Sequence, residues 1–187
     1  KLLAKGPRKI SPFFVPMMIA NMAAGMIAMR FGCKNAVTPA VTACASGSNA
    51  IGEALRAIRH GYAEVMIAGG AEAAINALSV AGFMNMQALS LATDPLAASL
   101  PFDARRGGFV IGEGAGALIL ETYEHAIARG AKIYAELCGY GSTCDAYHMT
   151  APHPDAEGGA RPWPTPLPRR RSIRIASIST PTAPVRR

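Results

Sequence analysis

The sequence predicts an α/β fold with a buried sheet between helical layers, on three observations. Short apolar runs rich in β-branched residues alternate with segments of helical periodicity. Half of the 187 residues are hydrophobic and only 17% are charged, enough apolar material to cover a sheet. Glycine and proline mark the boundaries between the segments.

The first long apolar run is FFVPMMIANMAAGMIAM (Phe13–Met29). It approaches the length of a bilayer span, but Pro16 and Asn21 interrupt it, so a buried loop and core helix are expected. Met22–Arg30 has helical character and ends at Gly32, which suits a helix C-terminus. AVTPAVTA reads as a buried strand that delivers Cys44. SGSNAIGEALRAIRHG carries Ile51, Leu55 and Ile58 at helical spacing and closes at Gly61. EVMIAGGAEA is a short apolar strand running into glycines, and Ala77–Pro101 is mixed helix and loop. GFVIGEGAGALIL predicts one long strand or two consecutive ones, TYEHAIARG a short helix ending at Gly130, and KIYAELCGYGSTCD a last strand. No internal repeat is visible.

The net charge of +7 suggests nucleic-acid binding until it is mapped. Residues 1–160 carry twelve basic and twelve acidic side chains, whereas 161–187 hold seven arginines and no acid. That tail also holds six of the fourteen prolines, so it is expected to be disordered and not to enter a central strand. Neither a nucleic-acid nor a membrane partner is expected. The opening KLLAKGPRKISPFF has no signal-peptide organisation and does not start with Met, and so reads as part of a longer chain.

Four cysteines (Cys33, Cys44, Cys138, Cys144) without a C-x-x-C pair suggest free thiols in a reduced, cytoplasmic setting. Cys144, Asp145, His148 and His153 do not have the spacing of a common zinc site. The glycines after Ile111 follow G-x-G-x-G and lead into apolar ALIL, which lacks the later glycine and helix of a dinucleotide loop. No metal or cofactor is expected.

Cys44 stands where an apolar run becomes a helix. Backbone N–H groups and the positive end of a helix dipole favour a thiolate there. The same N–H groups suit the oxyanion formed when a thioester carbonyl is attacked. Ala45, Ser46, Gly47 and Ser48 leave room for a substrate. A small cysteine at a helix start is, without family knowledge, more often a structural residue than a nucleophile.

A series of longer motifs weighs in favour of chemistry. TACASGSNAIGEA, EVMIAGGAEA, PFDARRGGFVIGEGAGALILE, HAIARGAKIYAELCGYG and DAYHMTAPHPDAEG occur in order, preceded by GPRKISPFFVPMMIANM. Together they resemble the β-ketoacyl-[acyl-carrier-protein] synthases, most closely those of type II, over essentially all of residues 1–160. The resemblance implies a thiolase-like layered α/β fold, here mostly its N-terminal half, and a homodimer. It implies Cys44 as the nucleophile that takes an acyl chain from acyl carrier protein. Malonyl-carrier protein then loses carbon dioxide and attacks the acyl thioester, in fatty acid biosynthesis. Phe83 matches the family's acyl-pocket segment, and Asp145 and His148 match positions near the active-site entrance. Glu113, among tight-turn glycines, is expected to serve structure. MNMQALSLATD, after Gly82–Phe83, has no arginine where the family often meets its acidic carrier.

The family also uses histidines in an NAHGTSTP-type motif and further on, and a late glycine-rich loop; none is in this sequence. Arg161–Leu167 can be encoded CGG CCA TGG CCA ACG CCC TTG, which read from the third base gives Ala-Met-Ala-Asn-Ala-Leu. SISTPTAPVRR permits codons whose same shift gives Tyr-Ile-Asn-Ala-His-Gly-Thr-Ser-Thr-Pro. The expectation is therefore a change of frame near Gly158–Arg161, with 161–187 an out-of-frame tail.

Three function classes follow: a chain-elongating condensing enzyme acting through acyl-Cys44; a non-catalytic, dimerising, pocket-forming partner of a ketosynthase; or a truncated product without function. Cys44 argues against the second, because such partners usually lack it. The fragment alone is expected to be inactive in the full condensation, with slow acylation of Cys44 as its residual step.

Overall fold

A computed structural model describes residues 2–160 and 173–179. They belong to two compact units, the first from Lys1–Gly69 and Leu118–Ile178, the second centred on Gly70–Ala117.

The first unit begins with helices α1 (Leu2–Lys5), α2 (Phe14–Met18) and α3 (Met22–Phe31). Gly32 ends α3 in the left-handed conformation, φ 66°, and its N–H reaches the Ala28 carbonyl, as the sequence predicts. The expected burial of this stretch does not hold. Neither α2 nor α3 has a buried residue, and Phe13, Phe14, Met17, Met18, Met26 and Met29 are exposed. Among the described residues no layer covers that face. The predicted strand over AVTPAVTA is also absent: residues 36–42 are irregular and largely exposed. Pro39 lacks an N–H for a ladder, and Val37 and Val41 have no apolar layer to enter.

Helix α4 (Ser46–Arg59) organises the core. Ala54, Leu55 and Ile58 are three or four residues apart and are all buried. They pack on Ala68 of strand β1 (Val65–Glu72) and Leu120 of strand β2 (Gly114–Thr122), with Ile51, Met66, Leu118, Leu137 and Tyr140 at the margin. Each fully buried Leu or Ile side chain contributes about 1.5–3 kcal/mol. Helix α6 (Tyr123–Ala128) follows β2 directly, its start capped by Thr122 Oγ1, which accepts from the His125 N–H at 3.3 Å.

Strands β3 (Ala135–Leu137) and β4 (Ile173–Ser179) complete a four-stranded sheet of order β1-β2-β4-β3. β3 is shorter than KIYAELCGYGSTCD predicts. β4 pairs antiparallel with β3, with Ala135 opposite Ile175 and Leu137 opposite Ile173. This corrects the expected disorder of 161–187 for residues 173–179. Residues 169–180 contain no proline, and Ile173–Arg174–Ile175–Ala176 alternates at the strand period, a local pattern that the tail's average composition hides. The other residues of 161–187, and the expectation placed on them, lie outside the described residues. Helix α7 (Glu157–Ala160) ends the main described segment.

In the second unit, helix α5 (Ala77–Asn85) is capped by Asn76, whose side-chain oxygen accepts from the Ser79 N–H at 3.0 Å. The first of the two strands allowed by GFVIGEGAGALIL is reduced to a parallel bridge between Leu89 and Phe109. Gly108 permits that approach: a Cβ there would stand 2.4 Å from the Leu89 carbonyl carbon, and its φ is +132°.

Candidate active site

Cys44 lies in a single 3-10 turn, Ala43–Ala45, immediately before α4. Its thiol is exposed, and no side chain caps the helix start. Ala43 takes φ +51°, a left-handed backbone that costs an alanine about 1–2 kcal/mol. The turn is laced on both sides of the cysteine. The Thr42 N–H donates to Ser46 Oγ at 2.9 Å, and the Ser46 hydroxyl donates to the Ala43 carbonyl at 2.7 Å. The Ala45 N–H reaches the Thr42 carbonyl at 3.1 Å.

A second layer was not apparent from the sequence. Asn49 Nδ2 donates to Thr42 Oγ1 at 2.8 Å, and the Tyr140 hydroxyl donates to Asn49 Oδ1 at 2.7 Å. The Tyr140 ring carries the Arg56 guanidinium 5.0 Å from its centre. Arg59 Nη2 donates to the Cys138 carbonyl at 2.7 Å. The available signal is spacing. Asn49, Arg56 and Arg59, with the buried Gly52 between them, form a stripe on α4 beside the face that carries Leu55 and Ile58. Chemically, an attacking thiolate and an oxyanion formed at Cys44 would both face the positive end of an uncapped fourteen-residue helix.

Asp145 and His148 share a loop of the same unit that is tied by its own backbone. Asp145 Oδ2 accepts from the His153 N–H at 3.0 Å, and the Thr143 hydroxyl donates to the Gly158 carbonyl at 2.8 Å. His148 Nδ1 accepts from the Thr150 and Ala151 N–H groups, each at 3.1 Å. As an acceptor Nδ1 holds no proton, which leaves Nε2 as the N–H of the neutral ring. Among the described residues no group of His, Cys, Asp and Glu has the arrangement of a metal site.

Phe83 belongs to the second unit, on α5, and meets Phe109 edge to face at 5.1 Å. Phe109 also lines an open, largely apolar pocket of about 260 Å³ with Ile75, Val80, Leu89, Ser90, Val110 and Ile111. Glu113 Oε1 accepts from the Ile75 N–H at 2.8 Å, the structural role the sequence suggests.

Glu121 is the buried charge among the described residues of the first unit. Arg129 holds it through Nε at 2.8 Å and through Nη2, and His125 Nδ1 lies 2.6 Å from Oε2. The Arg129 hydrogen bonds, supported by His125, keep its carboxyl below the ordinary value of 4.5 although burial acts the other way. This cluster fastens α6 to the end of β2.

The family model described as "Beta-ketoacyl synthase, N-terminal domain" matches residues 1–126. The chain belongs to the β-ketoacyl synthase family. It is 60% identical over 161 residues to the 3-oxoacyl-[acyl-carrier-protein] synthase 2 of Synechocystis sp., covering 86% of this chain and 39% of that one. Identity to the enzyme of the same name from Staphylococcus aureus is 53%, covering 86% and 40%. The chain thus spans about two fifths of the curated relatives it matches. Among solved structures, it is similar to a type II polyketide ketosynthase complexed with its acyl-carrier protein (TM-score 0.79, 43% identity, 83% of this chain and 39% of that one). It is also similar to a β-ketoacyl synthase from Burkholderia phymatum (TM-score 0.75, 41% identity, 81% and 37%). These ketosynthase neighbours carry the layered fold expected from the sequence motifs.

Proposed function

We propose that Cys44 is the acyl-accepting nucleophile of a 3-oxoacyl-[acyl-carrier-protein] synthase of fatty acid biosynthesis. The observation that carries this is the T-A-C-A-S-G segment folded as an exposed cysteine in the turn before α4, in a chain of this family. The thiolate attacks the carbonyl of an acyl thioester, the carrier's thiolate leaves and takes up a proton, and acyl-Cys44 remains. In the condensation, a malonyl thioester loses carbon dioxide and its carbanion attacks that carbonyl, which expels the Cys44 thiolate. The residues present serve the first of these steps, since the histidine motifs of the second are not in this sequence.

The donor partner is acyl carrier protein, the kind of partner bound by the ketosynthase among its structural neighbours. Phe83 is assigned to the acyl pocket, and its contact with a pocket-lining phenylalanine supports this. Asp145 and His148 are assigned to the substrate entrance, where a pinned Nδ1 would leave His148 Nε2 to donate. The exposed apolar side chains of α2 and α3 support a homodimer. Four free surface thiols fit a reduced cytoplasmic compartment. No helix among the described residues is long and apolar enough to cross a membrane.

The test is acyl transfer from an acyl-carrier-protein thioester to the intact chain, followed by mass. The chain should gain one acyl group and the Cys44→Ser variant none. Equal labelling of both would remove Cys44 from the chemistry.

A further inference from the structure

We infer that Asn49, backed by Tyr140, is a positioning residue for Cys44: it holds the turn that aims the thiol at the start of α4. The inference rests on the reading of Cys44 as nucleophile, but concerns the geometry that makes the thiol reactive.

Positions 49, 52, 56 and 59 fall on one face of α4, and all four engage the segment that follows β3. Arg59 grips the Cys138 carbonyl, Arg56 lies over the Tyr140 ring, and Asn49 takes the Tyr140 hydroxyl. Gly52 is the gap into which the ring fits: a Cβ there would stand 2.3 Å from ring carbons. Four contacts along nearly three turns fix the helix against this segment in both rotation and register.

The N-terminal end of this stripe reaches the cysteine. Asn49 uses its oxygen to accept from Tyr140 and its nitrogen to donate to Thr42 Oγ1, so one side chain links the brace to the residue two before Cys44. A hold is needed there because Ala43, between Thr42 and Cys44, sits at φ +51° without the freedom of glycine. Freed from Asn49, the Thr42–Ala43 backbone can relax toward the right-handed region, which turns Cys44 away from the helix start. The thiol then loses the orientation in which the turn presents it at the start of α4.

The experiment is alkylation of the full 187-residue chain by iodoacetamide, resolved by peptide, with exposed Cys33 as internal reference. Asn49→Ala and Thr42→Val should each lower the Cys44-to-Cys33 rate ratio at neutral pH by about two- to tenfold, the scale of one lost hydrogen bond. Thr42→Ser, which keeps the hydroxyl, should stay within about twofold of the parent, again on that scale. An unchanged ratio in both Asn49→Ala and Thr42→Val would overturn the inference. So would an equal loss in Thr42→Ser and Thr42→Val, since shape and not the hydroxyl would then matter. Acyl transfer to the parent chain is scored separately. Acylation with a flat alkylation series sinks the positioning role alone, and a sensitive series without acylation sinks the proposed function alone.

Discussion

Glu121 shows how single residues set this protein's response to acid. Its carboxyl is depressed in the folded chain by Arg129 first, so unfolding exposes a group that takes up a proton more readily. The stabilisation it provides is full above the ordinary value of 4.5 and is lost as pH falls through the lower folded value. Thermal melts followed by circular dichroism should therefore show an acid limb below about pH 4.5. In Glu121→Gln that part of the limb disappears; an unchanged limb would place the acid sensitivity elsewhere. His148 is a second residue whose role can be measured. With Nδ1 pinned by two backbone N–H groups, His148→Ala should speed amide exchange at Thr150 and Ala151. It should also raise the donor concentration for half-maximal acylation of Cys44 about two- to tenfold, the loss of one hydrogen bond.

At the scale of elements, α4 does two jobs with adjacent faces. One face supplies Leu55 and Ile58 to the core, and Leu120→Ala opposite them should cost about 2–5 kcal/mol in chemical denaturation. The other face receives Tyr140 at Gly52. Gly52→Ala, although a better helix former, should destabilise the chain and lower Cys44 reactivity, because the ring must leave Asn49 to admit the methyl. A more stable variant with unaltered Cys44 would contradict the brace. The apolar spacing of Ile51, Leu55 and Ile58 made α4 legible in the sequence, and the glycines made the ends of α3 and α6 legible. Burial of α2 and α3 was not legible, since an apolar pattern states what a face prefers and not whether a neighbour is there to cover it. Strand β4 was hidden by the composition of its flanks. Cys44 could be found from its motif, whereas Asn49 and Tyr140 meet only in three dimensions, 91 positions apart.

For the whole molecule, the exposed side chains of Phe14, Met17, Met18, Met26 and Met29 form more apolar surface than a solitary first unit would ordinarily leave in water. Sedimentation should show concentration-dependent association that weakens in a Phe14→Ser, Met18→Ser variant; a strict monomer at all concentrations would contradict the homodimer reading. The expected shift of frame over 161–187 is tested by sequencing the coding DNA across codons 155–187, which should recover the Asn-Ala-His-Gly frame. An intact frame through the arginines would make the tail a genuine part of the protein. The central claim is that one cysteine among four exposed ones has been placed for acyl transfer. Its most direct measurement is site-resolved acylation of the intact chain by an acyl-carrier-protein thioester, comparing Cys44 with Cys33, Cys138 and Cys144. Acyl groups should concentrate on Cys44; labelling spread evenly over the four thiols would contradict this placement.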